Sequence, residues 1–107
     1  MARLTQAQRS RARKKQDKAD SIAAAERAGD VCEVCGVYAP YERGGQNHHD
    51  YRKSTHPAYR PDRQNHTWCC GTCHRDLHDN VIRGHIMCHE IREHRGDDLE
   101  LHPSARR

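Results

Sequence analysis

Two Cys-x2-Cys pairs, Cys32/Cys35 and Cys70/Cys73, stand 34 residues apart in this chain. Four thiolates in that pattern suit a tetrahedral Zn2+, because each pair can grip one ion from a single tight turn. The intervening segment is longer than in a simple zinc ribbon, so it has to carry structure of its own. The competing use of such thiols is reactive or disulfide-forming chemistry. Composition explains why a staple is needed: of 107 residues only 34% are hydrophobic and none is Phe. A small domain so poor in apolar side chains buries little area. Zinc binding contributes on the order of 10 kcal/mol in finger peptides at neutral pH, enough to hold such a core together.

No apolar stretch reaches the roughly 20 residues of a membrane span, and "MARLTQAQRSRARKKQ" lacks the apolar centre of a signal peptide. The expectation is a soluble, cytoplasmic protein with no membrane partner, a setting in which paired cysteines favour metals over disulfides. The formal charge of +4 is unevenly spread, with seven Lys/Arg and one acid between Met1 and Lys18. That segment reads either as a solvated tail or as an arm that neutralises nucleic-acid phosphates through Arg9, Arg11, Arg13, Lys14 and Lys15.

The chain divides into a basic helical arm over 1–29, a zinc-stapled domain over 30–95 and a flexible tail over 96–107. Residues 2 to about 28 are rich in Ala, Arg, Lys and Gln and favour a helix that Gly29 stops. Its apolar face (Leu4, Ala7, Ala19, Ile22, Ala23) is thin, so the helix is marginal alone and would order on a partner. "VCEVCG" reads as a zinc knuckle. A short strand should end near "HHDY", the stretch from 52 to 64 should be a loop, and "HTW" should form a second strand. A helix is predicted from about Gly71, continuing or restarting through residues 79–95 with Gly84 as a possible break. Cys69 reads as a small buried hydrophobe; Cys88 beside His89 could be a ligand, although a lone pair of that kind is more often incidental.

If zinc takes the four cysteines, the histidines are unspent. His74 and His78 are one turn apart and share a helical face. In "NHHD", neighbouring strand residues point to opposite sides, so one of His48 and His49 can face that helix. Three imidazoles (His48, His74, His78) around one divalent metal, with His49 beside it, make a hydrolytic layout. The plainer alternatives are an exposed helix face, or His74 joining the zinc in place of a cysteine.

The succession C-x2-C, H-H, Asn, C-x2-C-H-x3-H over residues 31–79 resembles the zinc-finger-containing HNH endonucleases, and the run from "HHDY" to the second histidine of H-x3-H is similar to small HNH-like proteins common in phage genomes. The resemblance implies a small α+β zinc-stabilised domain with a ββα-metal core, flanked here by a basic N-terminal helix and a C-terminal helix. It implies metal-dependent hydrolysis of DNA phosphodiester bonds, by nicking or double-strand cleavage. By position, His48, His74 and His78 would bind the catalytic ion (Mg2+, Mn2+, Ni2+ or Zn2+). His49 would be the general base, and Asn65 would hold that base through backbone or ring. Arg52, Lys53, Arg60, Arg63 and Arg75 would clamp neighbouring phosphates. The implied setting is the cytoplasm of a bacterial host, with DNA as partner and a DNA-packaging or other DNA-processing complex as a possible context. The chain departs from the family pattern at His66, where an aliphatic residue is usual, and in the length of the loop before Asn65. Asp50 could replace a ligand or salt-bridge the loop, and His56 could stand in for His49. A zinc-stapled nucleic-acid-binding module without activity, using the basic arm, the loop and Trp68, is the alternative.

Overall fold

The computed structural model describes residues 3–52, 55–60 and 62–97. Among them the fold is a small α+β arrangement of three helices and one two-stranded antiparallel sheet. Helix α1 spans Gln6–Ala28, strands β1 and β2 span Gln46–His49 and His66–Cys69, and helices α2 and α3 span Gly71–Asp79 and Val81–Arg95. None of the described helices is long and apolar enough to cross a membrane.

Local chemistry sets the helix ends. Thr5 and Gln8 form a reciprocal capping box, Gln8 N–H to Thr5 Oγ1 at 3.1 Å and Thr5 N–H to Gln8 Oε1 at 2.7 Å. Helix α1 therefore starts at Gln6, later than its composition predicts. It stops where Gly29 turns left-handed at φ 67°. Asn80 is extended and closes α2 while capping α3, its Oδ1 accepting from Arg83 N at 3.1 Å. The break between the two helices thus falls at Asn80 and not at Gly84. Gly84 instead lies within α3, where a Cβ would come 2.7 Å from the Leu77 carbonyl oxygen. Its missing side chain lets α3 pass close over α2.

Register pairs Gln46 with Cys69, Asn47 with Trp68, His48 with Thr67 and His49 with His66. All four residues of β2 are buried, since both of its faces are covered. On one face Trp68 packs against Ala24 and Ala25 of α1, with Ala28 at the edge. The Trp68 indole donates to the Ala39 carbonyl at 2.7 Å. Gly45 lies so close beneath that ring that a Cβ would sit 2.2 Å from it. Trp68 is 0% exposed, so it is a core residue and unavailable for stacking on a base. The small alanines that make α1 marginal alone are what allow it to close on an indole. On the other face Cys69 meets Cys32, Leu77 and Cys88.

Polar contacts tie the layers together. Glu33 accepts from the Trp68 backbone N–H at 2.7 Å, from Arg27 of α1 at 3.1 Å and from Arg95 of α3 at 3.1 Å. Asp50, just past β1, accepts from Arg92 of α3 at 2.7 Å, and both side chains are buried. Arg60 pairs with Asp17 through its Nε at 2.9 Å and through its Nη2, joining the loop to α1.

Candidate functional site

The first cluster is sulfur. Cys32 lies in a tight turn in which Val34 N–H and Cys35 N–H each approach its Sγ at 3.4 Å. Cys70 caps α2 and Cys73 follows in its first turn, so the second pair also grips from one bend. The four Sγ atoms lie within 4.8 Å of one another, and Cys35 and Cys70 are 3.8 Å apart. Four sulfurs at 2.3 Å from one ion would be about 3.8 Å apart along each tetrahedral edge. Burial alone would raise the Cys32 thiol, but the backbone N–H groups of Cys35, Cys70 and Val34 bring it down to about 7. Burial among the other sulfurs pushes Cys73 up. A cluster in which backbone N–H groups stabilise one thiolate, while burial among sulfurs disfavours a second thiolate unless a cation is beside it, could bind a metal such as zinc. Cys69 and Cys88 stay outside it as buried hydrophobes, and burial lifts Cys88 to about 11.

The second cluster is imidazole. The His48 ring centroid lies 5.5 Å from His74 and 5.0 Å from His78, and the latter two are 4.6 Å apart. One ring nitrogen from each of the three falls within a 4.8 Å group, with His74 Nε2 and His78 Nε2 at 3.2 Å. Strand alternation sends His48 towards α2, while H-x3-H spacing puts both other rings on the α2 face that meets it. His48 is buried, and burial together with His78 and His74 lowers its pKa to about 3. Burial and His78 also lower His74. The buried His48 Nδ1 has no hydrogen-bond partner among the described residues. Three imidazoles converging from two elements are a donor set that suits a divalent cation. His74 lies with the histidines, and the cysteine cluster is complete without it.

His49 alternates to the opposite face, its ring edge-on to His66 at 4.7 Å. It still lines a shallow depression together with His48, Asp50, Arg52, His78 and His85. His56 does not line it and instead sits among Tyr51 at 5.3 Å and Tyr59 at 6.0 Å. Asn65 is fully buried and does not bond the His49 ring. Its Oδ1 accepts from Tyr51 N–H at 2.7 Å, and its Nδ2 donates to the carbonyls of Tyr51 and Tyr59 at 3.1 and 3.2 Å. With Asp50 N–H on the Asn65 carbonyl at 3.0 Å, the amide fixes the chain immediately after His49. His66 is accommodated in the core because its Nε2 meets the Arg60 carbonyl at 2.7 Å.

The cations divide into two sets. Arg9, Arg11, Arg13, Lys14 and Lys15 are exposed along α1, and Arg52, Arg63 and Arg75 are exposed elsewhere. Arg60 is engaged by Asp17 and serves the fold. Lys53 and most of the 96–107 tail lie outside the described residues.

Sequence reasoning missed His85, whose Nδ1 meets Asp50 Oδ1 at 2.5 Å. His85, Cys88 and Arg92 follow helical spacing along one stripe of α3, a readable inward face. Their target, Asp50, is set only by the tertiary fold. No protein-family model, no curated protein and no solved structure matches this chain.

Proposed function

We propose that the protein is a metal-dependent endonuclease of the HNH type that hydrolyses DNA phosphodiester bonds. On this reading β1, β2 and α2 form a ββα-metal core, the four cysteines hold a structural zinc, and His48, His74 and His78 hold a second divalent ion such as Mg2+, Mn2+, Ni2+ or Zn2+. The observation that carries it is the convergence of those three imidazoles within 4.8 Å, separate from the sulfur cluster, with His48 and His78 on the rim of the depression that His49 lines. The bound ion would supply positive charge to the phosphate as negative charge builds in the transition state.

The side chains do the remainder. A ring nitrogen of His49 takes a proton from the attacking water. Asn65 keeps that histidine in place by fixing the backbone of Tyr51. Arg52 on the rim contacts a phosphate oxygen, and the exposed arginines and lysines of α1, with Arg63 and Arg75, hold flanking backbone without reading sequence. The outward basic face of α1 equally suits a binding module without activity, acting as an adaptor or regulator.

A supercoiled plasmid separates the two. Zinc-loaded protein given Mg2+, Mn2+ or Ni2+ in turn is expected to relax or linearise the plasmid. His49→Ala, with its melting temperature retained, should lower the rate by about 10²- to 10⁴-fold. Gel retardation of an intact plasmid by both proteins would select the binding module. Equal cleavage by both would remove His49 as the base.

A further inference from the structure

We propose that His85, backed by Asp50, is the residue that hands a proton to the leaving 3′ oxygen. The inference rests on the phosphodiester cleavage put forward above and adds to it a residue and a step.

The geometry is that of an aspartate-held imidazole opening on the reaction site. Asp50 is 6% exposed and both its oxygens are engaged, Oδ1 by His85 Nδ1 at 2.5 Å and Oδ2 by Arg92 Nη1 at 2.7 Å. A carboxylate can only accept, so His85 Nδ1 carries its hydrogen. Proton exchange is then left to Nε2, as in other carboxylate-oriented imidazoles. Arg92, itself 4% exposed, fixes the carboxylate from behind, and the Tyr51 ring flanks His85 with centroids 5.4 Å apart. The His85 side chain nevertheless stays 42% exposed. It lines the same depression as His48, His49, Arg52 and His78. A histidine serving only to pin α3 to the strand would have no reason to open there, since Arg92 already makes that link from full burial.

The proton inventory also asks for such a group. Water attacks phosphorus and forms the new P–O bond while His49 accepts one of its protons. The P–O3′ bond breaks, its electron pair stays on O3′, and His85 delivers the Nε2 proton to that oxygen. His49 then releases one proton to solvent and His85 regains one, so the cycle closes without any other reactant. The titratable and charged groups around His85 are Asp50, which it bonds, and His48, His49, Arg52 and His78, which line the same depression.

The test compares two phosphodiesters with His85→Gln in the zinc-loaded protein given Mn2+. DNA needs its leaving 3′ oxygen protonated, whereas bis(p-nitrophenyl) phosphate expels a stable phenolate that does not. His85→Gln is expected to slow DNA cleavage by about 10²-fold or more, with a much smaller loss on bis(p-nitrophenyl) phosphate. Metal content by native mass spectrometry and the melting temperature should match wild type. His49→Ala, in contrast, should lose both substrates together. Equal losses on both substrates in His85→Gln, or undiminished DNA cleavage, would overturn the proton-donor role and leave the nuclease reading standing. A wild-type protein inactive on both would overturn the nuclease reading and this inference with it.

Discussion

Cys70→Ser is expected to abolish the cooperative thermal transition of the protein, and chelation of the wild type should do the same. The reason is the thinness of what else is buried. Among the described residues the apolar core consists of Trp68 on two alanines of α1, Leu77 among three cysteines, and Tyr59 with Tyr51 against it. Cys32 belongs to both the core and the sulfur cluster, so that cluster and the apolar centre are one structure. Cys70 is the N-cap residue of α2, but its sulfur makes no capping hydrogen bond. Serine caps helices well, so the loss expected of Cys70→Ser is that of a metal ligand and not of the helix end. Structural zinc contributes on the order of 10 kcal/mol, against a typical total stability of roughly 5–15 kcal/mol. Circular dichroism melts with zinc content measured in parallel check this. A sharp transition that persists after the zinc is gone would mean the apolar core suffices.

Arg92→Met should destabilise the zinc-loaded protein by about 3–5 kcal/mol, the usual effect of removing one partner from a buried pair. Asp50 would be left buried with a carboxylate answered only by the half-exposed His85. Water cannot compensate, because the Asp50 side chain is only 2% exposed. Pairing the change with Asp50→Asn removes the uncompensated charge and should recover a large part of the loss. Urea midpoints of the two single variants and the double variant form the cycle that measures it. Additive losses would show that the two side chains do not act on each other.

Features within a few residues of one another were legible. The two Cys-x2-Cys turns and the H-x3-H spacing each place their side chains by local geometry, and the strands at 46–49 and 66–69 lie where the sequence predicts them. Alternation implied that one of His48 and His49 faces α2, but the choice depended on register with β2. Tertiary contacts stayed hidden. Gly84 reads as a helix break and is a close-packing point against Leu77, while Asn80, a readable cap, makes the break. Arg60 reads as a phosphate clamp and meets Asp17, 43 positions away. Asp50 reads as a replacement metal ligand or a salt bridge to the loop, and its partners His85 and Arg92 are 35 and 42 positions away. The docking of α1 was invisible because alanines look like a weak face until an indole is known to lie beneath them.

The most direct measurement is a Mn2+ titration of zinc-loaded protein with supercoiled plasmid present, wild type beside His74→Ala/His78→Ala, with bound ions counted by native mass spectrometry. The account predicts that the wild type takes up one ion beyond the cysteine-held zinc, and that cleavage rises as that site fills. The double variant should keep its zinc and its melting temperature, take up no second ion and leave the plasmid intact. Cleavage by the double variant at the wild-type rate, or a wild type that never holds more than one ion, would contradict it.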